Sequence, residues 1–191
     1  MRSRLLSAFG AFAKRVGRSE DGVAATEVAL AAPVLLLLLL GGYDVGRYVL
    51  IHKKVAQVGF AVSDVTSQYT ALTKDAMTLV FMTTGQILPG YVSGSTGVTI
   101  VTSVYLSGTQ PKVSWQCYST ATSAWTSKIG VAGGNAAISA ALLSDTKDNL
   151  IIAEVYYKFS PIFSTFFKSS SDIYSQSLFR PRLGALTTKP C

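Results

Sequence analysis

The sequence predicts an α+β protein in which one long N-terminal helix, half membrane-spanning and half amphipathic, carries a small antiparallel β-sheet domain. Three observations predict it. Val23 to Leu40 is a run of 18 residues whose only charge is Glu27. Beyond it, apolar residues recur every three or four positions from Tyr48 to Leu72, the period of one helix face. After Pro89 the period drops to two, in segments rich in β-branched and aromatic residues.

The chain opens on MRSRLLSAFGAFAKRVGR, where basic residues alternate with Leu5, Leu6, Phe9 and Phe12 in a way that suits a short helix on a membrane surface. Arg2, Arg4, Lys14, Arg15 and Arg18 outnumber Glu20 and Asp21, so the leader at 1–22 is basic. A basic flank ahead of an apolar run predicts a cytoplasmic N-terminus, although Arg47, Lys53 and Lys54 on the far side temper the asymmetry. The run itself, at ~1.5 Å per residue, covers most of a ~30 Å hydrocarbon core. Six consecutive leucines, Leu35 to Leu40, argue against a buried helix of a water-soluble domain. Gly41-Gly42-Tyr43 lacks the small-residue pattern of secretory cleavage, so the segment is expected to stay attached.

These signals divide the chain into a leader (1–22), a transmembrane segment (23–42), an amphipathic helix followed by a second helix (43–89) and an external sheet domain (90–191). The first helix is expected near Gly22 to Tyr69, with bends at Pro33 and Gly41-Gly42. Tyr48, Ile51, Val55, Val58, Val62, Val65, Tyr69 and Leu72 form its inward stripe, and Arg47, Lys53, Lys54, Gln57, Ser63, Asp64 and Gln68 its wet faces. Thr73 is placed to cap the second helix, whose apolar face reads Ala76, Leu79, Val80, Thr83 and Ile87. VTIVTSVYL (Val98 to Leu106) and KVSWQCYS (Lys112 to Ser119) flank the turn chemistry of SGTQP and predict a hairpin. Strict alternation puts Val113, Trp115 and Cys117 on one face. A short helix is expected around Ala136 to Leu143. LIIAEVYYKF (Leu150 to Phe159) is the strongest strand, and DIYSQSLFR (Asp172 to Arg180) a fourth. SPIFSTFF between them is either a buried corner or an exposed apolar tip.

Composition narrows the function. Hydrophobic residues make up 49% and charged residues 14%, against about 25% charged in soluble domains. The net charge of +7 comes without a basic stripe interleaved with aromatics, so no nucleic-acid partner is expected. His52, the single histidine, lies on the helix beside Lys53 and Lys54. One histidine and two distant cysteines assemble neither a zinc site nor a nucleophilic triad. Asp145, Asp148, Glu154 and Asp172 show no spacing that singles out a catalytic pair. No enzyme activity, metal or cofactor is expected. Cys117 and Cys191 lie beyond the apolar run, in the compartment where disulfides persist. A bridge between them is expected, two free thiols being the alternative.

Glu27 is the anomaly. A carboxylate deep in a spanning helix costs ~2.5–3.5 kcal/mol, less near an end where it meets water. By position alone it is an interfacial acid. The surrounding layout says more: a basic leader ending in Gly22, four uncharged residues, Glu27, then an apolar run containing Pro33. This layout resembles the class III signal of type IV pilins and pseudopilins. The resemblance implies prepilin-peptidase cleavage between Gly22 and Val23, leaving Glu27 as the fifth residue of the mature chain. Glu27 then becomes the counter-charge of the new amine on Val23, in the same subunit or a neighbour.

DGVAATEVALAAPVLLLLLLGGYDVGRY is similar to the opening of TadE-like proteins, minor pseudopilins of tight-adherence (Flp-type) pilus machines, with Asp44-Val45-Gly46-Arg47 in place of that family's Glu/Asp-x-Gly-Arg. The C-terminal LFRPRLG is similar to endings in the same family. Val23 and Val28 depart from it, where an alanine and an aromatic are usual. The resemblance implies a pilin-like helix kinked at Pro33 and a single-pass inner-membrane protein with its C-terminal domain in the periplasm. It implies a structural role, priming or capping pilus assembly. The implied partners are the prepilin peptidase, other minor pseudopilins, the major Flp-type pilin and the inner-membrane assembly platform. Two alternatives stay open: a membrane-anchored periplasmic enzyme or binding domain with an accidental Gly22/Glu27 pattern, or a TadG-type envelope protein, a class with much larger domains.

Overall fold

The computed structural model describes residues 21–143, 145, 148–163, 167 and 169–191. The surface helix expected in the leader lies outside the described residues. The first element, α1 (Asp21–Ser67), is a helix of 47 residues that continues through Pro33 and through Gly41-Gly42. It is followed by α2 (Lys74–Ile87) and strands β1 (Gly97–Ser107), β2 (Gln110–Tyr118), β3 (Asn149–Phe159) and β4 (Ser171–Phe179). The chain divides into two compact units: α1 up to Val45 with Ile162–Phe167, and Gly46–Pro161 with Lys168–Cys191.

In the first unit the apolar run is bare. Leu30 is 83% exposed, and Val34 through Leu39 are each more than half exposed. Asp44 is fully buried instead. Its carboxylate accepts the backbone N–H groups of Ile162 (2.9 Å) and Phe163 (2.8 Å), and the Tyr43 ring meets Phe163 edge-on at 5.7 Å. Ile162 and Phe163 themselves are exposed. Of the two readings of SPIFSTFF, these two residues take the exposed tip.

In the second unit an antiparallel sheet in the order β2-β1-β3-β4 is covered on both faces. On one face lie the later turns of α1. Val55, Val58 and Val62 are fully buried, as the stripe predicts. Ser63 joins them, although its polarity places it on a wet face. Burial is tolerated because its hydroxyl donates to the Gly59 carbonyl one turn back (2.7 Å); Thr66 and Ser67 satisfy themselves in the same way, on Val62 and Asp64. Phe60 of α1 meets Phe179 of β4 edge-on, and Tyr48 meets Phe159 of β3.

Thr73 caps α2, accepting the Ala76 N–H at 3.2 Å. The buried face is Met77, Val80 and Thr84, while Leu79 is 62% exposed, so the expected face is rotated by about one residue. The cause is the docking contact: Thr84 Oγ1 lies 3.1 Å from Thr99 Oγ1 of β1, which holds that turn against the sheet.

The β1–β2 hairpin forms with Gly108 at φ +65 in its turn. Its register slips once: Ser103 pairs with Trp115 but Val104 with Val113, leaving Ser114 unpaired. This bulge leaves Trp115 and Cys117 on the one face expected of them and turns Val113 to the other. An extra residue reverses the alternation. Val113 packs with Val104, Ile129 and Ile152, whereas the Trp115 indole donates to the Leu186 carbonyl (2.8 Å), an oxygen that also receives the Ser103 hydroxyl.

The helix expected at Ala136 to Leu143 shrinks to one 3₁₀ turn, Ala140–Leu142. The preceding backbone is committed elsewhere: Ala136 N–H donates to Pro111, and Val113 exchanges hydrogen bonds with Gly133 and Gly134, extending the edge of β2. This segment roofs the second face. Beneath it sits Glu154, fully buried in β3. It accepts hydrogen bonds from the Ser127 hydroxyl, the Lys128 N–H (2.9 Å) and the Tyr174 hydroxyl (2.9 Å). Lys128 Nζ lies 3.9 Å from the Tyr174 ring centroid.

Two outcomes follow. Burial, then the Glu154 charge, pushes the Tyr156 phenol from 10.0 up to about 12, and Tyr174 is raised by the same causes. The unfolded chain therefore ionises first. The contribution to stability is whole below pH 10 and lost as pH rises through about 12. Alkaline titration followed by circular dichroism and phenolate absorbance should show unfolding in that window; melting well before the phenols ionise would contradict it. Gly97 supplies the second test. A Cβ there would collide with the Tyr156 carbonyl and come within 2.9 Å of the Tyr91 ring. Because the first obstacle is backbone, Gly97→Ala should cost about 1–3 kcal/mol, read as a lower urea midpoint of the full chain in detergent.

Candidate processing and anchoring segment

The N-terminal candidates lie within three turns of one helix. Gly22 and Val23 sit in the opening turn of α1, and the Thr26 hydroxyl donates to the Val23 carbonyl at 2.8 Å. This bond joins the carbonyl side of Val23 to the turn above, while the Gly22–Val23 bond carries no bulky group on its glycine side. Glu27 is exposed and stands four residues beyond Val23. Residues four apart share a helix face, so a charge on the Val23 nitrogen would lie one turn below the carboxylate.

Pro33 has no N–H to give to the Ala29 carbonyl, yet helical structure is assigned on both sides of it. The leucine run follows, exposed through Leu39. Among the described residues Val34 to Leu39 stay exposed, and no polar side chain interrupts the run before Tyr43.

Cys117 and Cys191 lie in the other unit and are joined in a disulfide with Cα atoms 5.9 Å apart. Cys117 is fully buried on β2. The bridge completes a tail already held at two points. Arg182 N–H donates to the Ser67 carbonyl, satisfying one of the orphan acceptors at the end of α1, and its guanidinium meets Asp64 at 2.6 Å. Leu186 then receives Ser103 and Trp115 as described. Among the described residues no group of three or more His, Cys, Asp or Glu is placed to hold a metal.

Two polar residues with structural work were passed over in sequence. Asp44 was legible only as part of a motif; its partners lie 118 and 119 residues away. Glu154 had a usable signal, a lone acid in the middle of the most apolar strand.

Residues 22–61 match the TadE-like protein family model. No curated protein and no solved structure matches the chain. The TadE-like segment takes in Gly22, Val23, Glu27, Pro33 and the Asp44–Arg47 motif, and it ends within α1 before the sheet domain begins. The match covers 40 of the 191 residues. The helix that carries the match is long and apolar enough to anchor in a membrane.

The disulfide is open to direct test. It closes a loop across a sequence separation of 74, for which chain entropy alone predicts about 4 kcal/mol. Cys191→Ser should lower the full chain's stability by up to that amount. Alkylation of denatured, unreduced protein should find no free thiol; two labelled cysteines would remove the bridge.

Proposed function

We propose that this protein is a minor pseudopilin that primes or caps assembly of a tight-adherence (Flp-type) pilus. A prepilin peptidase cuts it between Gly22 and Val23 on the cytoplasmic side. The observation that carries the reading is the exposed apolar run of α1 that follows Gly22 and bears one acid, Glu27, four residues past Val23. Cleavage creates an amine on Val23, and Glu27 is its counter-charge. An ion pair at the edge of low dielectric favours one axial register between neighbouring helices, and removing one partner leaves a costly orphan.

The helix crosses the inner membrane once, with the sheet domain in the periplasm. The disulfide supports that placement, since such bonds persist in oxidising compartments. Pro33 loosens the helix midway and lets it bend within a packed bundle. The partners are the prepilin peptidase, sibling pseudopilins, the major Flp-type pilin and the inner-membrane assembly platform. The chemistry is done on this chain and not by it.

The test is the intact mass and N-terminal sequence of protein from its native membrane. A chain beginning at Val23 is expected; one retaining the leader would refute processing. Glu27→Ala should impair pilus assembly by an order of magnitude or more while leaving membrane insertion intact, as counted by pili per cell and by membrane fractionation. Wild-type pilus numbers in that variant would count against the counter-charge role.

A further inference from the structure

The exposed corner after β3 has no part in the reading above. Ile162 is 58% and Phe163 44% exposed, two large apolar residues on an irregular turn. They are not loosely held. Both backbone N–H groups donate to the carboxylate of Asp44, which is fully buried, and Phe163 rests against Tyr43. Together with the apolar half of α1 they form a single compact unit.

Their height along the helix gives them a purpose. Twenty residues separate Val23 from Tyr43, which at ~1.5 Å per residue is ~30 Å, the thickness of a hydrocarbon core. If Val23 starts at one boundary of the bilayer, Tyr43 and Asp44 arrive at the other, where aromatic rings are enriched. Tyr43 and Val45 are themselves 52% and 41% exposed, so the apolar surface of α1 continues up to the corner. Irregular backbone close to lipid is tolerated only where its polar groups are satisfied within the protein. Asp44 does this for both N–H groups.

We infer that Ile162 and Phe163 form a second lipid contact, a foot set into the outer interface of the bilayer and stapled to the membrane helix by Asp44. The inference rests on the reading of α1 as a membrane span. A helix alone fixes depth but leaves rotation and tilt to its neighbours. A foot on one side fixes the face of α1 that lies toward lipid, leaving the remainder for protein partners.

The full chain reconstituted at low density in phosphatidylcholine–phosphatidylglycerol vesicles tests this, using lipids brominated on their acyl chains as quenchers. Phe163→Trp and Ile162→Trp report on the foot and Val34→Trp on the span, each corrected for the emission of Trp115 and Trp125. The added emission of both foot variants should be quenched by bromines near the headgroup, and that of Val34→Trp by bromines near the bilayer centre. Adding Asp44→Ala should abolish most of the quenching at position 163 and leave that at position 34 unchanged.

Quenching at 34 with position 163 open to an aqueous quencher would overturn the foot and spare the span. A position 163 shielded from both lipid and water would mark a protein occupant, and would overturn the lipid contact equally. Absence of quenching at both positions would refute the span itself, and the foot with it.

Discussion

The leucine run of α1 is exposed from Leu35 through Leu39, and that exposure carries the largest energetic weight in the molecule. Leaving one leucine in water instead of burying it forgoes roughly 1.5–3 kcal/mol. Five in succession, Leu35 to Leu39, amount to about 10 kcal/mol, comparable with the whole stability of an ordinary domain. The sheet domain offers no relief, because its apolar residues are used on one another: Val55, Val58 and Val62 against one face of the sheet, Ile129 and Leu143 against the other. An apolar environment around the run would recover that free energy.

Sequence reasoning succeeded where the information is local. The long first helix, the cap at Thr73, the hairpin turn and the two long strands each rest on a few neighbouring residues, and each stands in the structure. The Gly22–Glu27 layout is local as well, which is why a family resemblance could be seen before any fold. The misreadings share another cause. Ser114 is an ordinary residue, and nothing near it announces that the register of β2 slips there; the slip follows from what packs on either face. The buried side of α2 is chosen by Thr99, fifteen positions from Thr84. Ser63 seems a surface residue until its hydroxyl is seen to bond within its own helix. Asp44 is the extreme case, since its role depends on partners more than a hundred residues distant.

The two halves of α1 meet opposite demands with one backbone. From Val23 to Gly42 the side chains are apolar apart from Thr26 and Glu27, and Pro33 removes one helical hydrogen bond. Above Tyr43, small hydroxyls and a glycine allow close approach to the sheet, and identity is set by fit. The family match at 22–61 covers the apolar half of α1 and its first turns against the sheet, and stops short of the sheet domain.

Glu154 bears on how that domain breathes. Its ligands come from two directions, Tyr174 on the neighbouring strand and Ser127 with Lys128 on the segment that roofs the sheet. Should the roof lift alone, a carboxylate would be left half-solvated above an intact apolar sheet, an intermediate of high free energy. Gradual peeling is therefore penalised, and the roof and the β3–β4 pair open together or stay shut. Amide hydrogens of 127–129 and of the central residues of β3 should consequently exchange with solvent at one common rate, as a single foldon, giving the sheet domain few partly open forms for a protease to seize.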